Sequence, residues 1–185
     1  YRWFILVFAV LVLIISSILY LYFLKKDYFI SILGNDFFLR VERIIDWSNK
    51  DGFQLEKGIT AIGSAGIFGH GLFNTPIYFP EAETDFIFAV YSSNLGFIGS
   101  IFLFTLIFLF DILLINIAFK SNKLGKLMIA GIVGMLIYQQ FQNIGMTYGI
   151  IPITGITLPF ISYGGSSLLS YMIIVGLVLN VKTRK

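Results

Sequence analysis

Residues 80–110 read PEAETDFIFAVYSSNLGFIGSIFLFTLIFLF. Three carboxylates, on Glu81, Glu83 and Asp85, fall within five residues and lead without a spacer into 86–110, which carries no charge. An apolar run longer than ~18 residues marks a helix able to cross a bilayer. An ionisable side chain at the edge of hydrocarbon is costly to desolvate and commonly has a task there. Asp85, the last acid before the run, is the residue on which chemistry is expected.

Two further stretches, 3–24 and 127–148, are equally free of charge, and a fourth, 168–181, needs the preceding Ser/Gly segment to complete a crossing. Hydrophobic residues make up 57% of the chain and charged ones 12%, about half the charged share of a soluble domain. The expected fold is therefore all-α, a single polytopic membrane helix bundle over 1–185. Its transmembrane helices are placed at 3–24, 85–118, 127–148 and 166–181. A long loop 25–84, a short loop 119–126 and an irregular loop 149–165 join them, and a tail follows at 182–185. Four helices make a thin bundle for a catalytic membrane protein, and the first span begins almost at Tyr1, so a larger protein is expected. The chain has no cysteine, which excludes disulfides and thiolate metal sites.

Charge distribution orients the bundle. Lys120, Lys123 and Lys126 fill one short connection, Lys182, Arg184 and Lys185 follow the last span, and Arg2 precedes the first, whereas 146–167 is uncharged. The positive-inside rule puts both ends and the lysine loop in the cytoplasm, with 25–84 outside. That outer loop carries six basic and eight acidic residues before Asp85, so it offers no basic patch for nucleic acid.

Within the loop, Phe38, Val41, Ile44, Ile45 and Trp47 alternate with charges at helical spacing over 37–47. Such a helix would lie at the membrane surface. A second short helix is expected over 54–62, followed by the glycine-rich stretch 63–71. That stretch lacks the Gly-Lys-Ser/Thr ending of a phosphate loop and reads as a packed turn, and His70 has no spaced partner for zinc. Pro76 and Pro80 keep the chain extended until Thr84 or Asp85 caps the second span. Asp111, near the other end of that span, is expected to pair with a lysine or meet water.

Gln139, Gln140, Gln142 and Asn143 end the third span. Amides in hydrocarbon need partners, so this end should face the bundle interior or a wet cavity. The segment 149–167 is apolar but broken by Pro152, Pro159 and several glycines, and irregular backbone survives at membrane depth only where protein or a cavity satisfies it. A re-entrant or tightly packed hairpin is expected there. Gly164-Gly165-Ser166-Ser167 could present backbone N–H groups to an anion at a helix start, or simply pack the last span.

Read together, these blocks resemble the shape, elongation, division and sporulation (SEDS) family, FtsW/RodA/SpoVE. The residues concerned are 80–89 with Leu95-Gly96-Phe97-Ile98-Gly99, then Gln142-Asn143-Ile144-Gly145-Met146, and finally Pro152-Ile153-Thr154-Gly155-Ile156-Thr157-Leu158-Pro159-Phe160-Ile161-Ser162-Tyr163-Gly164-Gly165-Ser166-Ser167. The resemblance covers about 43–181 and implies the C-terminal part of a ten-helix protein. It implies a peptidoglycan glycosyltransferase that polymerises lipid II into glycan strands outside the bacterial cytoplasmic membrane, in division, elongation or sporulation. Lipid II, the growing strand, membrane lipids and a class B penicillin-binding transpeptidase are the implied partners. The family's essential aspartate, in its Thr-Asp-Phe motif, falls on Asp85. Glu81, Thr84, Gln54, Gln142, Asn143, Pro159, Ser162, Gly164, Gly165, Ser166 and Ser167 are the implied substrate-binding positions. There are departures: Ser93-Asn94 stands where relatives usually carry two glutamates, and Ala65-Gly66 where they carry Gly-Gly.

For the implied reaction, with an α donor linkage and a β product, a single displacement with inversion suffices and one carboxylate base is enough; Asp85 could be that base. Its competing role is structural, since a negative charge at a helix start is favourable by ~0.3–1 kcal/mol. Glu81 and Asp85 could hold a divalent cation, Mg or Mn, near the diphosphate, and no organic cofactor is expected. Rival functions are a flippase for a lipid-linked precursor, built on broken helices, and an inactive scaffold that recruits the transpeptidase.

Overall fold

The structure, a computed structural model, describes residues 2–49, 52–72, 74, 76–78 and 82–183. Among these are seven helices: α1 (Arg2–Leu24), α2 (Lys26–Leu33), α3 (Asn35–Asn49), α4 (Phe53–Ser64), α5 (Ile87–Phe119), α6 (Lys123–Thr147) and α7 (Gly165–Thr183). Four are long and apolar enough to cross a membrane, α1 over Trp3–Leu24 together with α5, α6 and α7. The molecule is thus a multi-pass helix bundle, as its charge-free runs require.

The long loop is largely helical. Its α3 and α4 occupy the two segments whose periodicity reads as helix. α2 falls between the first span and the periodic stretch at 37–47, where no helix is expected. This helix forms because Phe29, fully buried, packs edge-on against Tyr22 of α1 and Phe38 of α3, and Gly34, at φ +83, ends it. Eight residues hold together through those aromatic contacts rather than through intrinsic propensity.

The core of the spans lies between α5, α6 and α7, where Leu114, Ile117, Ile129, Val133, Leu136, Tyr171 and Val178 are buried together. Asn122 caps α6 by accepting from Gly125 N at 2.8 Å. At the N-terminal end of α5, Phe86 and Ala89 pack on Ala61 of α4. Gly58 makes room for this, because a Cβ there would come within 3.0 Å of the Phe86 ring.

α5 is not continuous. Gly96 has φ 66 and ψ −160, which breaks the helix into two parts. Residues 97–119 alone rise about 35 Å at 1.5 Å per residue, enough to cross a ~30 Å hydrocarbon core. The glycine-rich loop fills the break. His70 N and Gly71 N donate to the carbonyls of Ser93 and Asn94, while Phe97 N and Ile98 N donate to those of Gly66 and Ile67, at 2.9–3.2 Å. Backbone groups freed by a break near the membrane must be paired within the protein, and this loop pairs them.

Candidate active site

Asp85 stands in a turn just ahead of α5. The expectation that Thr84 or Asp85 caps the helix is corrected: the cap position belongs to Phe86, whose carbonyl accepts from Ala89 N and Val90 N. Phe86 wins that position because its ring is fully buried against α4. Asp85, next to this apolar anchor, is half-buried in the turn.

The non-helical segment 150–164 lies across the turn as a strap. It leaves α6 at Gly149, whose φ is +73 and whose carbonyl accepts from Trp47 Nε1 at 2.8 Å. Gln142 Nε2 donates to Thr154 Oγ1 at 2.9 Å and reaches Pro152 O at 3.5 Å. Asn143 is fully buried, and its Nδ2 donates to Ile156 O and to Asp85 O, both at 2.8 Å. Farther along, Ser162 Oγ accepts from Leu158 N and donates to Thr84 O, each at 2.7 Å. Tyr163 N donates to Glu83 O at 2.9 Å. Three consecutive carbonyls, those of Glu83, Thr84 and Asp85, are therefore each held by a donor from outside their own turn.

The carboxylate meets the strap at Gly155. A Cβ built on that glycine, which has φ +72, would sit 3.2 Å from Asp85 Oδ2. Gly155 belongs to the site although the sequence reading did not single it out. A glycine between Thr154 and Ile156, where branched residues favour extended backbone, was the available signal. Phe160 is a second such residue. It holds φ +65 without being glycine, a strain of order ~1–3 kcal/mol, and its ring is wedged between Phe110 and Tyr171 at 5.3 and 5.1 Å.

The structure disperses the amide cluster. Successive helical positions turn by ~100°, so the four amides are divided among three neighbours. Gln139 Oε1 accepts from Tyr171 of α7, and Gln140 Nε2 donates to Asp111 of α5 at 3.2 Å. Only Gln142 and Asn143 face the strap. Asp111 thus has the Gln140 amide as its partner rather than the expected lysine, because its carboxylate is buried beside α6.

Pro159 is buried beside Leu158 in the strap's turn, and Gln54 is half-buried in the first turn of α4. Ser162, Gly164, Gly165 and Ser167 line a cavity of about 360 Å³ with Phe160, Tyr163, Leu168 and Tyr171. Ser167 Oγ closes the start of α7 on Gly164 O at 2.9 Å, and Ser166 is exposed one position earlier. Glu81 lies outside the described residues. Among the described residues no group of three His, Cys, Asp or Glu side chains comes together to hold a metal.

The whole chain, residues 1–185, matches the family described as FtsW/RodA/SpoVE cell cycle proteins. The chain belongs to this family. It is 43% identical over 155 residues to stage V sporulation protein E of Bacillus subtilis (strain 168), covering 77% of this chain and 42% of that protein. To peptidoglycan glycosyltransferase RodA of Treponema pallidum (strain Nichols) it is 40% identical over 141 residues, covering 74% of this chain and 33% of the relative. A solved chain from "Structural coordination of polymerization and crosslinking by a peptidoglycan synthase complex" superposes with a TM-score of 0.61 at 32% identity, covering 78% of this chain and 42% of that one. The chain thus spans less than half the length of the relatives it matches here.

Ser93 is fully buried in the α5 break, with His70 Nδ1 3.1 Å from its carbonyl and 3.3 Å from its hydroxyl. The lone histidine thus has a packing role, closing the space beside Ser93.

Proposed function

We propose that this chain forms part of a peptidoglycan glycosyltransferase that polymerises lipid II at the outer face of the bacterial cytoplasmic membrane. Asp85 acts as general base. Its carboxylate takes the proton from the acceptor sugar hydroxyl as that oxygen bonds to the donor's anomeric carbon. The bond from this carbon to the lipid diphosphate breaks on the opposite side, and the diphosphate leaves with the electron pair. Inversion needs no covalent enzyme intermediate, so one carboxylate is enough.

One observation carries this reading. Asp85 is half-buried at the head of a membrane helix, its Oδ2 3.2 Å from where a Cβ on Gly155 of the strap would stand, with its backbone fixed from outside. A base must sit within hydrogen-bond reach of its proton in a fixed orientation, and this arrangement supplies such a mount. The cavity beside Ser162, Gly164 and Ser167 is the candidate substrate approach, and a class B penicillin-binding protein is the proposed partner. Lys120, Lys123, Lys126 and Lys182 support an orientation with both ends of the chain cytoplasmic and Asp85 outside.

The test is polymerisation of labelled lipid II by the full-length protein with its transpeptidase, compared with Asp85→Asn. Glycan chains from the unaltered protein and none from the variant are expected. A flippase or a scaffold would give no chains in either form, and full activity in Asp85→Asn would remove the base from the scheme.

A further inference from the structure

We infer that Asn143 and Ser162 are positioning residues for Asp85 rather than contacts to the sugar or the diphosphate. The inference rests on Asp85 being the base. Asn143 has two amide hydrogens, and both are spent on carbonyls, those of Asp85 and Ile156. Its side chain is fully buried, so no donor remains to meet a ligand. Its Oδ1 is buried and has no hydrogen-bond partner among the described residues. Turning the amide over would set that oxygen against two carbonyl oxygens, so the two acceptors fix which way it points. The fold tolerates an unpaired acceptor here in return for a double donor at one spot. Neither an aspartate nor an apolar residue can supply that.

Ser162 works in the same manner one residue earlier. Its one hydrogen goes to Thr84 O, and its oxygen accepts from Leu158 N. Tyr163 N completes the set on Glu83 O. Each of these donors is bonded to a main-chain carbonyl of the turn. They fix the path of 83–85, and thereby the point from which the Asp85 side chain reaches toward Gly155. The role is mechanical: a displaced Cα moves the base relative to the acceptor oxygen, while the surfaces that bind lipid II stay in place. Small errors of placement at a reacting centre cost rate rather than affinity.

This predicts a split in the kinetic constants. In the full-length protein with its transpeptidase, Ser162→Ala and Asn143→Ala should each lower kcat for lipid II polymerisation by tenfold or more and leave KM within about twofold. Ser162→Thr keeps the hydroxyl and should recover most of the rate. Melting temperature in detergent identifies any variant that has lost its fold. Because Asn143→Ala opens a buried site, the Ser162 pair decides the matter if that protein does not fold. A tenfold rise in KM at unchanged kcat would overturn the inference, since the residues would then be touching substrate. Full activity in Ser162→Ala, or a Ser162→Thr protein as slow as Ser162→Ala, would overturn it too. If Asp85→Asn is inactive while the Ser162 and Asn143 variants match the unaltered protein, the inference alone falls. Activity in Asp85→Asn removes the underlying assignment as well.

Discussion

Gly69 and Gly96 meet back to back where the glycine-rich loop enters the break in α5. Both have positive φ, +76 and +66, and a Cβ on either would run into main-chain atoms of the other segment. Neither side can yield, because what stands in the way is backbone rather than the end of a flexible side chain.

Gly96→Ala or Gly69→Ala should therefore prise apart the pairing that satisfies the break. A strained φ and several lost backbone hydrogen bonds together predict a loss of about 2–4 kcal/mol. Gly131→Ala is the control, since it lies within α6 with nothing within 4 Å of its Cβ, and alanine there should be neutral or slightly stabilising. Thermal unfolding of the full-length protein in detergent distinguishes them, and equal melting temperatures for Gly96→Ala and Gly131→Ala would contradict the account.

Gly155→Ala probes the mount of the carboxylate directly. The new methyl would sit 3.2 Å from Asp85 Oδ2 at a φ of +72, so it would both strain the strap and push the proposed base. Polymerisation is expected to fall by about 10- to 100-fold, with a stability cost of only ~1–2 kcal/mol. Gly176→Ala in α7 has open space around it and should leave the rate within a factor of about two of the unaltered protein. Unchanged activity in the Gly155 variant would mean that the carboxylate does not need this neighbour.

How much of this was legible beforehand depends on whether residue type carried the signal. Charge-free runs marked all four spans, and three acids at the edge of one marked Asp85. The two prolines and the glycines after Tyr148 marked an irregular strap. The break at Gly96 was not legible, because one glycine in an apolar run reads as a tolerated helix residue. What breaks the helix there is a loop more than twenty residues away in sequence. The amides at 139–143 were visible as a group needing partners, yet helix rotation sends them to three different elements. Least legible was the hold on Glu83, Thr84 and Asp85, since carbonyl oxygens are common to every residue and leave no mark in a sequence.

Asp111 and Gln140 offer a test within the membrane span. The Gln140 amide donates to the buried carboxyl at 3.2 Å. Gln140→Leu would strip that group of its donor in apolar surroundings, at a cost of about 1–3 kcal/mol. Replacing both, as Asp111→Leu with Gln140→Leu, removes the orphan along with the donor and should recover much of the stability. A double variant less stable than Gln140→Leu alone, in the same detergent melts, would show that the carboxyl has a separate structural role.

Trp47 ties α3 to the start of the strap through its 2.8 Å bond to Gly149 O. Gly149 is also packed by Leu55 and Ile59 of α4, whose side chains lie 3.2–3.3 Å from where its Cβ would be. The corner from α6 into the strap is thus held by one hydrogen bond and an apolar seat. Trp47→Phe keeps aromatic bulk but removes the donor, and should cost about 0.5–1.5 kcal/mol. The effect should be local: amides of 150–157 should exchange with solvent several-fold faster, while those of α5 to α7 keep their protection. Exchange that rises equally across the spans would mean that Trp47 supports the whole bundle, and exchange unchanged at 150–157 would mean that the apolar seat alone holds the corner.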